Sequence, residues 1–298
     1  MEDISGHMSG HIAEHVAQYP ETELGRLIRQ ARRLRPFTER MLRTIGVRRG
    51  MRVLDVGCGI GDASMLAADL VGPGGAVIGI DADGTAVELA GRRVADAGLH
   101  QAEIAALDLV DFADPEPFDV VLSRHVLIYR EDPVDFLRRA ARFVKPGGVV
   151  AIHEVDAYRA LDWLPHGSLV NQLTDVMVSA FPTGVPNGDV GSRMIAAFLG
   201  AGLPCPNVLS EMAPPERDEA AQFPRASEVL RNVLPQLIRD GVVSEEDMID
   251  IDGIEDRMRA ESQDAWCGAT TWVPRVPQYC AWARLPRAAA GRRIDPAY

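Results

Sequence analysis

Lysine is almost missing from this chain. Lys145 stands alone among 31 Lys and Arg residues, and the arginines are dispersed rather than clustered. With 43 Asp and Glu residues the formal net charge is −12. Binding a nucleic-acid backbone needs clustered cations, so no nucleic-acid partner is expected. Cysteine is scarce as well. Cys58, Cys205, Cys267 and Cys280 have no paired spacing, which excludes a disulfide framework and a zinc pattern and suits reduced thiols in the cytoplasm. No apolar run approaches the roughly 20 residues of a membrane-crossing helix. The first residues are acidic and His-containing rather than basic and then apolar, so neither a membrane partner nor a signal peptide is expected. His7, His11 and His15 share helical spacing. A metal site is the sharper reading of them, and a mobile arm without metal is the expectation.

What is present is a globular pattern. The 298 residues are 47% hydrophobic, enough for a large domain with a full core. Leu24, Leu27, Ile28, Ala31 and Leu34, then Met41, Leu42 and Ile45, mark two amphipathic helices broken near Pro36. From residue 51 strands and helices alternate. Strands are expected at Arg52–Val56, Ala76–Ile80, Ala102–Ala106, Phe118–Ser123 and Val149–His153. Helices are expected at Asp62–Val71, Thr85–Ala97 and Pro133–Val144, with Lys145-Pro-Gly-Gly148 as the turn before the fifth strand. Five βα repeats predict a doubly wound parallel sheet with right-handed crossovers. Beyond Asp156 the rhythm changes. Helices are expected over 167–181 and 190–200, a strand over 208–212, a charged helical stretch over 216–260 and a closing strand over 276–284. All four tryptophans lie in this half.

The densest signal is Val53-Leu-Asp-Val-Gly-Cys-Gly-Ile-Gly-Asp62: an apolar strand, an acidic residue, and glycines at 57, 59 and 61. A strand that turns through glycines into a helix offers backbone N–H groups and a positive helix end to a ligand. A dinucleotide site would need Gly-x-Gly-x-x-Gly. Asp62 stands where its third glycine belongs, and a carboxylate there repels a pyrophosphate, so a nicotinamide cofactor is disfavoured. A turn kept only for its geometry is the plain alternative. Further acidic residues close the next strands: Asp81 after the second and Asp108-Leu109 after the third. Ser123-Arg-His-Val-Leu127 follows the fourth.

In this order the pieces resemble the class I S-adenosylmethionine-dependent methyltransferases over roughly residues 20–160. Tyr19-Pro, Glu23-Leu-Gly-Arg-Leu27 and Gln30 are similar to the helical lead-in of the UbiE-like bacterial small-molecule group. Gly191-Ser-Arg193 through Gly202-Leu-Pro204 is similar to that group's helix before the sixth strand. The resemblance implies a Rossmann-like, mostly parallel, seven-stranded sheet with a helical N-terminal lead-in and a helical cap. It divides the chain into an N-terminal arm (1–46), a cofactor-binding half (47–156), acceptor-side helices with the sixth strand (157–212), a cap insertion (213–270) and a closing strand with its tail (271–298). S-adenosylmethionine is the implied cofactor, with no metal. Asp55, Gly57, Cys58, Gly59 and Gly61 would hold its methionine part, joined by Tyr19 and Gln30. Asp81 and Ala82 would take the ribose, Asp108 and Leu109 the adenine. Ser123 and Arg124 would line the sulfonium side.

Methyl transfer from a sulfonium is an in-line displacement, so positioning and exclusion of water carry most of the catalysis. A hydroxyl, amine or indole acceptor also gives up a proton, which a base would take. His125, His153 and Glu154 follow strands four and five at the carboxyl edge, where ligands bind in open α/β sheets. Tyr19 could orient the acceptor, and His166 is a further candidate. Trp163, Met177, Phe181 and Trp266 could line an apolar acceptor pocket or simply be core. The expected acceptor is a small, aromatic or otherwise apolar natural-product-like molecule of secondary metabolism, with the choice of O, N or C open. Three rivals stand beside it: a quinone-biosynthesis C-methyltransferase, a non-catalytic S-adenosylmethionine-binding partner protein, and, more distantly, an NAD enzyme. A homodimer is left open.

Overall fold

The structure, a computed structural model, describes residues 20–156, 186–212 and 277–287 and isolated positions between 238 and 260. Among the described residues the strands form one seven-stranded sheet in the order β3-β2-β1-β4-β5-β7-β6. The strands are β1 (Arg52–Val56), β2 (Ala76–Asp81), β3 (Ala102–Ala106), β4 (Phe118–Arg124), β5 (Val144–Val155), β6 (Asn207–Met212) and β7 (Pro277–Arg284). β1 through β5 pair in parallel, and β7 runs antiparallel between β5 and β6. The parallel strands are covered on both faces, which is why they read as continuous apolar runs. Val53, Val120, Leu122, Val149 and Ala151 face one cluster, with α1 (Pro20–Thr44) and α2 (Asp62–Val71) packed on it. Leu54, Val121, Val150 and Ile152 face the other, beneath α4 (Pro133–Ala141) and α5 (Met194–Gly200). α3 (Gly84–Asp96) follows β2 and is capped by Asp83, which accepts from Thr85 and Ala86 amides at 2.9 and 3.2 Å.

Four expectations need correction. The lead-in is one helix rather than two: Pro36 lies inside α1. Leu34, Phe37, Thr38, Met41 and Leu42 are buried on one side while Arg35 and Pro36 are exposed. The backbone bond that proline removes therefore falls on the solvent side, where water substitutes, and the apolar stripe carries the helix through. The βα alternation is interrupted once, because residues 107–117 between β3 and β4 carry no helix. Pro115 and Pro117 push their neighbours away from helical backbone angles. Lys145-Pro-Gly-Gly148 is not a turn ahead of β5 but a bulge inside it: Val144 pairs with Phe118, and the ladder resumes at Val149 opposite Val120. Gly148 is required there, since a Cβ would come within 2.8 Å of the Asp119 carbonyl oxygen. Finally, α5 starts at Met194, after a series of turns, rather than at Val190. The expected helix over 167–181 and the bulk of the 216–260 stretch lie outside the described residues.

Candidate functional site

The carboxyl ends of β1, β2 and β4 carry the site. After Val56 the chain turns through Gly57 (φ 72°), Gly59 (φ 52°) and Gly61 (φ 85°). Two of these illustrate different needs. A Cβ on Gly57 would sit 2.2 Å from Val126 Cγ2, so the post-β4 turn closes against it. A Cβ on Gly59 would meet nothing within 4 Å, so that position opens onto free space. The turn is fastened to β2: the Gly57 and Cys58 amides donate to the Ile80 carbonyl at 2.8 and 3.0 Å, and the Gly59 amide donates to Asp81 Oδ2 at 2.7 Å. Asp81 Oδ1 accepts from the Asp83 amide at 2.9 Å. A carboxylate has about four acceptor positions, so half-buried Asp81 keeps capacity for a diol. Ala82 beside it is exposed.

Beneath the turn Asp55 is fully buried on β1. Ser64 of α2 donates to its Oδ2 at 2.6 Å, while its Oδ1 is buried with no hydrogen-bond partner. Burial raises the Asp55 carboxyl from 3.8 to about 6, against the pull of Ser64 and of the Arg124 charge. Asp62, the residue that argued against a pyrophosphate, is held by Arg93 Nη2 at 2.7 Å. Cys58 is buried, and burial raises its thiol, which makes it a packing residue rather than a nucleophile. Past β3, Asp108 Oδ1 accepts from the Val110 amide at 3.0 Å and Oδ2 from Arg130 Nη1 at 3.2 Å. The Leu109 side chain is buried in the core cluster. On β4, Ser123 is buried with its Oγ unpartnered, and Arg124 is half-buried, its pKa lowered by loss of solvent.

A second polar group joins the strand ends to α1. His125 has φ 57°, the one positive value outside glycine among the described residues. Gln30 Nε2 donates to its Nδ1 at 3.2 Å. His125 Nε2 and His153 Nε2 both donate to Gln278 Oε1, at 3.3 and 3.1 Å. The Thr38 hydroxyl donates to His153 Nδ1 at 2.9 Å. The two rings meet edge to face at 5.4 Å. His153 is fully buried, and burial, then the neighbouring His125, lowers its pKa well below the usual value, so it stays neutral. Glu154 is also fully buried. Its Oε1 accepts from the Val126 and Leu127 amides, at 2.6 Å each, beneath the single turn Leu127–Tyr129. Burial raises its carboxyl to about 8, while those amides pull the other way.

The structure thus brings Asp55, Gly57, Cys58, Gly59, Gly61 and Asp81 into one turn, and Gln30, His125 and His153 into one network. Tyr19, His166, Trp163, Met177, Phe181, Trp266 and the histidines at 7, 11 and 15 lie outside the described residues. Ser64, Thr38, Gln278 and Gly79 were not foreseen. Gly79 lies opposite Asp55, and a Cβ there would come within 2.8 Å of Ser64 Oγ and 2.7 Å of Ile104 Cδ1. A glycine inside an apolar strand was the available signal. Nothing in the sequence marked the other three.

These residues fit a sulfonium amino acid linked to a nucleoside. An uncompensated buried carboxylate oxygen on Asp55 suits a cationic amino group nearby, the space over Gly59 admits a ligand, and Asp81 can accept from a ribose. A family model described as a methyltransferase domain matches residues 48–196, half of the chain. The ubiquinone biosynthesis O-methyltransferase of Caulobacter vibrioides is 33% identical over 134 residues, 40% of this chain and 51% of that protein. Nocamycin O-methyltransferase of Saccharothrix syringae is 35% identical over 119 residues, 40% of this chain and 42% of that protein. The chain spans about half the length of the curated relatives it matches. Among solved structures the YcgJ protein from Bacillus subtilis shares the fold, with a TM-score of 0.52 at 18% identity over 84% of this chain and 98% of that one. With the glycine turn, the acidic strand ends and the seven-stranded sheet in place, the chain belongs to the class I S-adenosylmethionine-dependent methyltransferases, in the UbiE-like group, with S-adenosylmethionine as cofactor.

Proposed function

We propose that the protein transfers a methyl group to a small, aromatic or otherwise apolar natural-product-like acceptor in bacterial secondary metabolism, and that it works in the cytoplasm. The observation that carries the donor half is the unpartnered Asp55 oxygen beneath the turn that Asp81 fastens. The relative named for nocamycin supports the acceptor class. Among the described residues no helix is long and apolar enough to cross a membrane.

When bound, S-adenosylmethionine supplies an electrophilic methyl group on a sulfonium. The chain's own contribution is to hold and enclose. Asp81 binds the ribose hydroxyls, Asp108 the adenine side, and Asp55 balances the amino group. Ser123 and Arg124 border the reacting side. Such positioning supplies roughly 7–11 kcal/mol of a barrier. Of the three candidate bases, His125 is half-buried while His153 and Glu154 are enclosed. His125 is therefore the group that takes the acceptor's proton: its accepting nitrogen is Nδ1, which the acceptor reaches by displacing the Gln30 amide, while Nε2 stays on Gln278.

A quinone-biosynthesis C-methyltransferase is the second reading; the relative named for ubiquinone biosynthesis, itself an O-methyltransferase, supports the quinone part of it. A screen of phenolic, amine, indole and prenylated quinol acceptors with a labelled methyl donor separates the two. Label on non-prenylated aromatics supports the first, and label only on the quinols overturns it. Donor binding with no labelled product from any of them favours a non-catalytic partner protein.

A further inference from the structure

His125 poses a physical question. A residue other than glycine in the left-handed region carries strain and persists only where its surroundings over-determine it. Its own amide donates to the His153 carbonyl at 2.9 Å. The next two amides, Val126 and Leu127, converge on one oxygen, Glu154 Oε1, at 2.6 Å each. The residue so clamped, Val126, is the one whose Cγ2 fills the space beside Gly57. A continuous path of contacts therefore runs from Glu154 through the backbone of the post-β4 turn to the glycine turn after β1.

We propose that Glu154 is a positioning residue: it holds the post-β4 turn by its backbone amides, keeps His125 in the left-handed conformation, and through Val126 supports the glycine turn that takes the methyl donor. Glu154 touches no reacting atom in this role, and it transfers no proton. A carboxyl group suits the task because one oxygen can accept from both amides whether or not the group is charged. The binding arm of this proposal rests on the methyl-donor reading above.

The test is a double-mutant cycle on the full chain with Glu154→Ala, His125→Gly and the double variant, alongside Glu154→Gln. Glycine takes a φ of 57° without strain, so with glycine at 125 the clamp is no longer needed. Two quantities are read: the affinity for S-adenosylhomocysteine by calorimetry and the thermal midpoint without ligand. Glu154→Ala, which releases the clamp that holds His125 in the left-handed conformation, weakens binding about 10-fold or more. In the His125→Gly background the same change costs at most about twofold. Glu154→Gln keeps the accepting oxygen and stays within about twofold of the parent. Equal losses in both backgrounds overturn the proposal, as does a Glu154→Gln variant as weak as Glu154→Ala. Should Glu154→Ala not fold, recovery of folded protein on adding His125→Gly supports the proposal, and failure to recover it counts against it. Absence of S-adenosylhomocysteine binding by the parent protein sinks the donor reading instead. The thermal cycle then decides alone, with non-additive midpoints in favour and additive ones against.

Discussion

Asp55 combines full burial, one short hydrogen bond and one unpartnered oxygen. Its carboxyl is raised from 3.8 to about 6 in the folded chain. The folded state thus holds a proton that the unfolded state releases, so the contribution of Asp55 to stability is complete below pH 3.8 and is lost as pH rises through about 6. Urea unfolding of the parent and of Asp55→Asn across that range should show their stability difference drifting, with the parent losing ground as pH rises. A constant difference would mean Asp55 is not the group responsible. Gly57 makes a sharper case. With φ 72° and Val126 Cγ2 only 2.2 Å from a Cβ, Gly57→Ala is strained twice over. It should cost about 1–3 kcal/mol of stability, read as a lower urea midpoint. At this scale the donor half of the site was legible because its chemistry needs residue types that stand out, glycines and acids at strand ends. Ser64, Thr38 and Gln278 were not, because a buried hydrogen-bonding side chain is recognised by its partner, and the partners lie 9, 115 and up to 153 residues away.

Elements were legible where period and punctuation agreed. β1, α2 and β3 begin and end where their apolar runs and glycines place them. Pro36 misled because the rule against proline in a helix is local, whereas the stripe from Leu34 to Ile45 is anchored by the sheet. Since the ring sits on the exposed side of α1, Pro36→Ala should restore a backbone hydrogen bond without disturbing the core. An interior proline costs up to about 3 kcal/mol relative to alanine. A higher thermal midpoint is the expected result, and a lower one would mean that the proline shapes the docking of Gln30 and Thr38 onto the histidines. The bulge at Lys145-Pro-Gly-Gly148 shows the reverse case. Its glycines were read correctly as punctuation, but only the sheet could show that Val144 already pairs with Phe118 before the interruption.

Among the described residues the sheet separates two core clusters, and the antiparallel β7 brings Gln278 beside β5. That insertion unites the network: Gln30 and Thr38 come from α1, His125 and His153 from the parallel strands, and the shared acceptor from the far end of the chain. Parallel pairing of β1 to β5 could be read from continuous apolar runs, but the neighbours of β7 could not, because strand order is a long-range property. We propose that the second half carries the acceptor side; its sequence bears aromatics but no motif.

The central claim is that the turn between Asp55 and Asp62, fastened by Asp81, holds the methyl donor. Calorimetric titration of S-adenosylhomocysteine into the parent and into Asp81→Ala tests it most directly. A charge-assisted hydrogen bond is worth about 1.5–3 kcal/mol, so the account predicts saturable binding to the parent and an affinity roughly 10- to 150-fold weaker in the variant. Equal binding by the two proteins, or none by the parent, would contradict it.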